Sequence, residues 1–159
     1  MPMSEYYQNL RNKVGKDLLF MPSVAAIIRN DLNEILFIRK KGESIWGLPA
    51  GAIEIGEAPA EAVIREVCEE TGLIVVPDKI AGVFGGNKYR YEYSNGHKVE
   101  YLAIVFECRI TEGLRGETDG EVAEFQFYKE DQIPEIAIPY PSEIFTRQKS
   151  EAAMFDFRK

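Results

Sequence analysis

This sequence has few cysteines, no basic-then-apolar pattern in its first residues and no long apolar run. Each of these features argues against a class of protein. The two cysteines, Cys68 and Cys108, have no metal-type spacing and suit a reducing compartment. The first residues do not resemble a signal peptide, and no run is long enough to span a membrane. We therefore expect a cytoplasmic protein that has no membrane partner.

Positive charge is also in short supply, with 19 basic against 26 acidic residues and a net charge of −7. An extended nucleic-acid surface needs a basic stripe, so this balance argues against that partner. A small nucleotide-type ligand stays compatible with the charge, because a metal ion neutralises phosphates locally. The length of 159 residues and the 45% hydrophobic content predict one domain with a substantial core.

The most informative stretch runs from Gly51 to Leu73 and reads GAIEIGEAPAEAVIREVCEETGL. Pro59 suits the first turn of a helix and Gly72 suits its end. An apolar stripe at helical spacing is formed by Ala60, Val63, Ile64 and Val67. The acidic residues on the adjoining side of this helix, with Ala62 as their small neighbour, are Glu66, Glu69 and Glu70.

Three carboxylates within one helical turn repel one another, and two interpretations follow. At a separation of about 6 Å, the repulsion is about 3 kcal/mol per pair at an effective dielectric of about 20, and about 0.7 kcal/mol in water. A solvated acidic helix face tolerates this cost. The alternative is a divalent cation bound between the carboxylates, for which Mg²⁺ is the first candidate and Mn²⁺ the second.

The spacing of the whole stretch resembles the Nudix box, G-x5-E-x7-R-E-U-x-E-E-x-G-U, in which U is a bulky aliphatic residue. Gly51, Glu57 and the run from Arg65 to Leu73 fill every specified position. The preceding residues, IWGLPA, resemble the W-x-L-P-G-G of the family, with Ala50 replacing the first glycine of the pair. The resemblance implies an α/β fold, a Nudix-type α/β/α sandwich with a mixed β-sheet, formed by residues 1–159 as a single domain.

The resemblance also implies a reaction, the cleavage by water of a phosphoanhydride bond in a nucleoside diphosphate linked to another moiety. Glu66, Glu69 and Glu70 are the implied ligands of Mg²⁺, with Gly51, Glu57 and Arg65 in supporting roles. Glu57 is expected to hold Arg65, and the alternative for Glu57 is direct contact with the metal. The box does not choose among nucleoside triphosphates, dinucleoside polyphosphates and compounds like ADP-ribose.

The base that activates the water is left open by the sequence. Glu66 is one candidate, and the other candidates lie in the acidic, glycine-rich segment from Glu112 to Glu121. Glu117, Asp119 and Glu121 are the acids considered there, and Glu121 ranks first because it borders the next strand. The resemblance implies one such acid, as a metal ligand or as the base.

Outside the box, one arginine and two tyrosines are candidates for contact with the substrate. Arg39 ends a predicted strand, and the resemblance implies a basic residue against the phosphates at this place, where a guanidinium can bind two oxygens. Tyr89 and Tyr91 alternate with charged residues along a strand predicted over 80–93, and either tyrosine is a candidate for stacking on a base.

Other elements are predicted as follows. Residues 4–14 predict a helix within an N-terminal extension, 1–16, which packs outside the domain, lies over the substrate or joins a dimer contact. Further strands are predicted over 23–29, 34–39, 52–55, 99–110 and 123–128, with a short helix in the segment KEDQIP. Asn95-Gly96 predicts a two-residue hairpin loop that pairs Tyr93 with Lys98. Residues 135–159 form a tail or helix that caps the cleft or packs between subunits, so a homodimer is left open.

Two other functions fit the same resemblance. A nucleotide-sensing domain binds without hydrolysis, but such relatives usually lack box glutamates, and none is lost here. Isomerisation of an isoprenoid diphosphate needs acid–base residues outside the box that the sequence does not locate. Hydrolysis is therefore the function that we expect.

Overall fold

The computed structural model describes residues 3–112, 118–146 and 152–157 of the chain. The helices are α1 (Glu5–Val14) and α2 (Pro59–Thr71), with short 3₁₀ turns at Asn87–Tyr89 and Ser142–Phe145. The strands are β1 (Leu19–Ile28), β2 (Ile35–Lys40), β3 (Ala50–Ala52), β4 (Ile74–Phe84), β5 (Arg90–Glu92), β6 (Lys98–Glu112), β7 (Val122–Tyr128) and β8 (Met154–Phe155). Within these ranges, no helix is both long and apolar enough to cross a membrane.

The main sheet is mixed and has the strand order β3-β1-β6-β4-β8, with β5 pairing the first part of β6. The central pair, β1 and β6, is parallel, and so is the edge pair of β4 and β8. Strand β3 is antiparallel to β1, and β4 is antiparallel to β6. Strands β2 and β7 form a separate antiparallel pair. The predicted α/β class with a mixed sheet is confirmed. The two strands flanking the Asn30 turn lie in different sheets, however, and share only the bridge between Arg29 and Ile35.

Alternation along β1 divides the core into two layers. Val24, Ala26 and Ile28 face one cluster together with α2, while Ala25 and Ile27 face the other. The second cluster is covered by β2 and by the turn at 142–145, since Phe37 and Phe145 pack there at 5.7 Å between ring centroids. All four residues from Ile35 to Ile38 are at most 2% exposed, as the apolar run predicted.

The helix α2 has the predicted bounds. Pro59 occupies its first position, and Gly72 ends it in the left-handed conformation with φ 75°, where a residue without a side chain is least strained. Val63 and Val67 are buried in the core, as expected. Ala62 was expected beside the carboxylates and is instead fully buried in the core cluster, because the buried face of α2 is wider than the predicted stripe.

Several strand boundaries differ from the prediction. Strand β3 spans 50–52 rather than 52–55, and β4 begins at Ile74 and continues through Pro77. Proline is accommodated because β4 has only β6 as a neighbour there, and the register shifts between Pro77 and Lys79. The strand predicted over 80–93 ends at Phe84, and a 3₁₀ turn and the short β5 follow the glycine pair.

The hairpin and the C-terminal region also differ. Tyr91 pairs with Val99, and the backbone of Tyr93 accepts from Gly96 and donates to His97, so the loop has three residues. Gly96 closes it at φ 80°, the geometry of a three-residue loop. The predicted helix at 129–134 is a turn, and the described part of the tail holds a 3₁₀ turn and β8 instead of a helix.

Candidate active site

The side chain of Glu66 lies against the backbone of Gly51. A Cβ built on Gly51 would stand 2.0 Å from Cδ of Glu66 and 2.1 Å from Oε1, so no larger residue fits there. Strand β3 therefore approaches α2 at the position of the carboxylate. Glu66 is only 9% exposed, and burial raises its pKa, with Arg65 acting in the opposite direction.

Arg65 joins three parts of this region through one guanidinium. It donates to both carboxylate oxygens of Glu57 at 2.7 and 2.9 Å and to the carbonyl of Ala52 at 3.0 Å. It also contacts Oε1 of Glu66 at 2.6 Å and Oε2 of Glu69 at 3.4 Å. The predicted pairing of Glu57 with Arg65 is thus present. Hydrogen bonds from Arg65 hold the pKa of Glu57 below its usual value.

Glu70 is the most buried of the box carboxylates, at 3% exposure. Its Oε2 accepts from the backbone N–H of Ala50 at 2.9 Å, and its Oε1 lies 2.9 Å from Nζ of Lys40. Burial raises the pKa of Glu70 to about 7, and the charge of Lys40 opposes that rise. Burial lowers the pKa of Lys40, but Glu70, with smaller contributions from Tyr93 and Glu121, raises it overall, so the lysine stays charged. The pair excludes the solvated-face interpretation for this carboxylate.

The carboxylate oxygens of the box glutamates are ligands of the kind that a hard divalent cation prefers. In the present arrangement, however, cationic side chains of the protein contact those oxygens. Oε1 of Glu70 is buried and has no hydrogen-bond donor in hydrogen-bonding geometry, despite its charge contact with Lys40. Among the described residues, no three acidic, histidine or cysteine side chains converge on one point. Arg65 and Lys40 occupy the carboxylates instead, so a metal ion at this helix competes with them for the same oxygens.

A cavity of about 390 Å³ opens beside this helix. Its charged lining includes Lys40, Glu66 and Glu121, and its aromatic lining includes Trp46, Tyr91 and Tyr101. One polar carboxylate of the box therefore borders a space lined largely by aromatic and aliphatic groups, the usual character of a small-molecule site.

The acids of the loop before β7 are only partly described. Glu121 lines the cavity, and its backbone carbonyl accepts from Lys41 at 2.9 Å while its N–H donates to Asp119 at 2.9 Å. Asp119 also connects to α2, since its N–H donates to the carbonyl of Glu69 at 2.9 Å. Glu117 lies outside the described residues. The placement keeps Glu121 as a candidate base.

Lys40, rather than Arg39, is the basic residue that reaches the cavity. Ile38 and Lys40 share the face of β2 that lines it. Arg39 does not line the cavity, pairs with Glu124 at 3.0 Å and lies 5.8 Å from the ring of Trp46, which does line it. The predicted contact of Arg39 with phosphate stays a prediction, and Lys40 is the basic residue with direct access. Adjacent residues of a strand point to opposite faces, so only one of the two can face the cavity directly. The apolar run before them is buried on both faces and therefore does not show which face borders the cavity.

The two tyrosine candidates, Tyr89 and Tyr91, also differ in whether they line the cavity. Tyr89 is fully buried, stacks on Phe84 at 5.9 Å between centroids and donates to Asp156 at 3.4 Å. Its proposed contact with a base is contradicted, because the chain turns after Gly86 and carries the side chain into the core. Tyr91 is half-buried and lines the cavity, so its assignment stays a prediction.

The sequence also missed residues on α1. Tyr7 is 3% exposed, lines the cavity and donates to the carbonyl of Ile53 at 2.7 Å. Arg11, 6% exposed, donates to the carbonyls of Gly15, Asp17 and Lys98 at 2.9 to 3.1 Å and so ties the helix to β6. In the sequence, Tyr7 lies at helical spacing from Leu10 and Val14. This spacing predicts that Tyr7 is buried, but it does not predict its hydrogen-bond partner.

Comparison with known proteins gives one matching family. The family model described as the NUDIX domain matches residues 19–148. YjhB of Bacillus subtilis (strain 168) is 33% identical over 131 residues, which are 78% of this chain and 61% of that protein. The ADP-ribose pyrophosphatase of Methanocaldococcus jannaschii is 35% identical over 129 residues, 77% of this chain and 71% of that protein. The chain thus spans about three fifths of the length of YjhB.

Among solved structures, the MutT protein from Methanosarcina mazei Go1 is similar over most of the chain. It has a TM-score of 0.60 and 29% sequence identity, over 81% of this chain and 92% of the other. The fold described above is therefore shared with a solved member of the group that the sequence comparison indicates.

Proposed function

Because the chain belongs to the Nudix family of hydrolases, we propose that it cleaves a phosphoanhydride bond in a nucleoside diphosphate linked to another moiety, with a divalent cation as cofactor. The observation that carries the proposal is the placement of Glu66 and Glu70. Both carboxylates are buried on neighbouring turns of α2, and Glu66 borders the cavity. Buried negative charge at the wall of a cavity has a cost that a bound cation would relieve, and the cation could in turn bind the phosphates of a substrate.

In the proposed reaction, the oxygen of a water molecule attacks one phosphorus of the diphosphate. A new P–O bond forms, the bond from that phosphorus to the bridging oxygen breaks, and the electron pair leaves with the other phosphate. A carboxylate at the cavity accepts the proton of the water. Glu66 and Glu121 are the two candidates for that base, because both line the cavity.

Mg²⁺ is the cofactor that we propose, with Mn²⁺ as a substitute, held by Glu66, Glu69 and Glu70. When bound, the ion would neutralise charge on the phosphates and lower the pKa of water. The protein's own contribution is to orient the carboxylates. Arg65 fixes Glu66 and the Ala52 carbonyl, while the Ala50 N–H fixes one oxygen of Glu70.

Lys40 is proposed to meet the substrate's phosphates from the β2 side of the cavity, in place of Arg39. The side chain of Lys40 is 40% exposed and its ammonium has three donors, so it can bind a second anionic partner besides Glu70. The aromatic lining, including Tyr91, is proposed to meet the nucleoside. We propose a cytoplasmic location because Cys68 and Cys108 are both free thiols.

A panel of nucleotides tests the proposal, with ADP-ribose first because the relative from M. jannaschii is named for that compound. Phosphate and nucleotide products would be measured with Mg²⁺, with Mn²⁺ and after chelation of metal by EDTA. We expect hydrolysis that requires the metal, and Glu70→Gln to lower kcat by about 10²-fold or more while the protein stays folded.

The matched control is Glu92→Gln, which makes the same change at an exposed side chain of β5 that does not line the cavity. Near-normal turnover by Glu70→Gln at saturating Mg²⁺ would contradict the metal role of the box. Tight nucleotide binding by the wild type without any product would favour the nucleotide-sensing alternative instead.

A further inference from the structure

The first turn of α1 and the two residues before it form a wall of the substrate cavity. Met3, Ser4 and Tyr7 line the same cavity as Glu66. We infer that this wall receives the base of the substrate's nucleoside and selects it by size. The inference rests on the proposed function, because it assigns one part of the same site.

The wall is held in place at several points, so it is a fixed surface and not a loose extension. Tyr7 packs with Leu19 and Met21 and donates to the carbonyl of Ile53 at 2.7 Å. Arg11 ties the last turns of α1 to the carbonyl of Lys98 at 3.0 Å. The backbone of residue 3 is held as well, because Gln8 donates to its carbonyl. A wall fixed in this way can exclude groups that are too large.

The chemistry of this end of the cavity suits a flat ring. Met3, Tyr7, Met21 and Tyr91 all line the cavity, and Tyr91 packs against the cluster that contains Tyr7 and Met21. Thioether and aromatic side chains make favourable contacts with aromatic rings. None of the four carries a formal charge, so none of them forms an ion pair with a phosphate. The cationic group that lines the cavity among the described residues is Lys40, and the acids that line it are Glu43, Glu54, Glu66 and Glu121. The diphosphate is therefore assigned to the side of the cavity that holds Lys40 and Glu66.

The position of α1 in the chain supports a role in selection. The match to the family model begins at residue 19, and α1 ends at Val14. The box residues are shared by enzymes with different substrates, so they cannot select among bases. A side chain from outside the shared region, placed in the cavity, can do so. Met3 is the most adaptable of these, being 40% exposed and unbranched.

Met3→Trp and Met3→Ala test the wall, with ADP-glucose and UDP-glucose as substrates that differ only in the base. The tryptophan narrows the cavity and the alanine widens it. We expect Met3→Trp to raise KM by about tenfold for the adenine compound and by less for the smaller uracil compound, with kcat changed less than about twofold. Met3→Ala should raise KM by about threefold or more, because contact with the ring is lost.

Leu18→Trp and Leu18→Ala are the matched controls. Leu18 is 43% exposed, close to the 40% of Met3, and does not line the cavity. Thermal unfolding of all variants identifies any effect that comes from loss of structure. Neither control should change KM by more than about twofold.

Three outcomes would overturn the inference in distinguishable ways. An unchanged KM in Met3→Trp, with wild-type hydrolysis intact, would overturn the wall but leave the proposed function standing. An equal penalty for both substrates would overturn the assignment of the base to this wall. Absence of hydrolysis by the wild type on any nucleotide would overturn the proposed function and this inference with it.

Discussion

The carboxylate of Glu66 occupies the space that a side chain on residue 51 would need. A Cβ at Gly51 would meet Cδ, Oε1 and Oε2 of Glu66 at 2.0 to 2.3 Å. The backbone of Gly51 has no positive φ, so the requirement for glycine comes from this close approach and not from backbone conformation. The first glycine of the box motif and its first helical glutamate are thus one packing unit.

Gly51→Ala should therefore displace Glu66 and damage both stability and turnover. We expect the free energy of unfolding to fall by about 1–3 kcal/mol, as in other overpacked sites. We expect kcat to fall by about 10²-fold, because a displacement of about 1 Å at a reacting site has that effect. Denaturant unfolding and steady-state kinetics measure the two effects. Gly85→Ala is the control, because its Cβ would make only ordinary contacts at 3.5 Å or more.

Arg65→Lys tests whether the guanidinium fork is required. A lysine ammonium cannot reach both oxygens of Glu57 and the carbonyl of Ala52 together. We expect the free energy of unfolding to fall by about 1–3 kcal/mol, because partly buried acceptors lose their donors. Arg90→Lys is the control, since the Arg90 side chain is 52% exposed in its ion pair with Glu100. Equal losses in the two variants would contradict a special role for the Arg65 network.

Local patterns predicted α2 well because its boundaries depend on Pro59 and Gly72, whose backbone limits act within one turn. They also predicted that Glu57 holds Arg65, through the resemblance. They failed where an outcome depends on packing between distant segments. Tyr89 lies in the core because the chain turns after Gly86. The two-residue alternation that predicted a strand does not predict such a turn. Likewise, nothing local shows that Ile53 accepts a hydrogen bond from Tyr7, 46 residues earlier.

Neighbouring basic residues on β2 should differ sharply in function. Lys40→Met removes the charge that faces the cavity, and we expect kcat/KM for ADP-ribose to fall by about tenfold or more, mainly through KM, if Lys40 meets the phosphates. Arg39→Met removes a charge that pairs with Glu124, lies 5.8 Å from the Trp46 ring and does not line the cavity, so kcat/KM should stay within about twofold. Steady-state kinetics at fixed Mg²⁺ compare the two. A larger loss of kcat/KM for Arg39→Met than for Lys40→Met would favour Arg39 as the residue that contacts the phosphates.

The two cysteines should differ in reactivity. Cys108 is 7% exposed, and burial raises the pKa of its thiol to about 12, whereas Cys68 is partly exposed. Because the folded-state pKa is raised, the neutral thiol persists in the folded protein well above pH 8. Its contribution to stability is complete below the pKa of the unfolded thiol and is lost progressively as the pH rises from there towards 12. We expect a thiol reagent at pH 8 to label one cysteine in the folded protein and two after denaturation. Cys68→Ser should abolish the folded-state labelling, and two reactive thiols in the native protein would contradict the burial of Cys108.

Glu66 and Glu121 can be separated as base and metal ligand by their response to Mg²⁺. Burial raises the pKa of Glu66, and Arg65 at 2.6 Å opposes that rise. Because Arg65 already holds one oxygen of Glu66 in place, we assign Glu66 the ligand role and Glu121 the role of the base. We expect Glu121→Gln to lower kcat by about 10²–10⁴-fold without changing the Mg²⁺ concentration that gives half-maximal rate.

Glu66→Gln should instead raise that Mg²⁺ concentration, because one anionic ligand of the ion is lost. Rate measurements over a range of Mg²⁺ concentrations and pH distinguish the two variants, since loss of the base also removes the acid limb of the pH–rate profile. The reverse pattern, with Mg²⁺ dependence altered only in Glu121→Gln, would make Glu66 the base. In that case the contact between Arg65 and Glu66 would have to break before the water is activated, and Arg65→Lys would then raise the rate of proton transfer while it lowers stability.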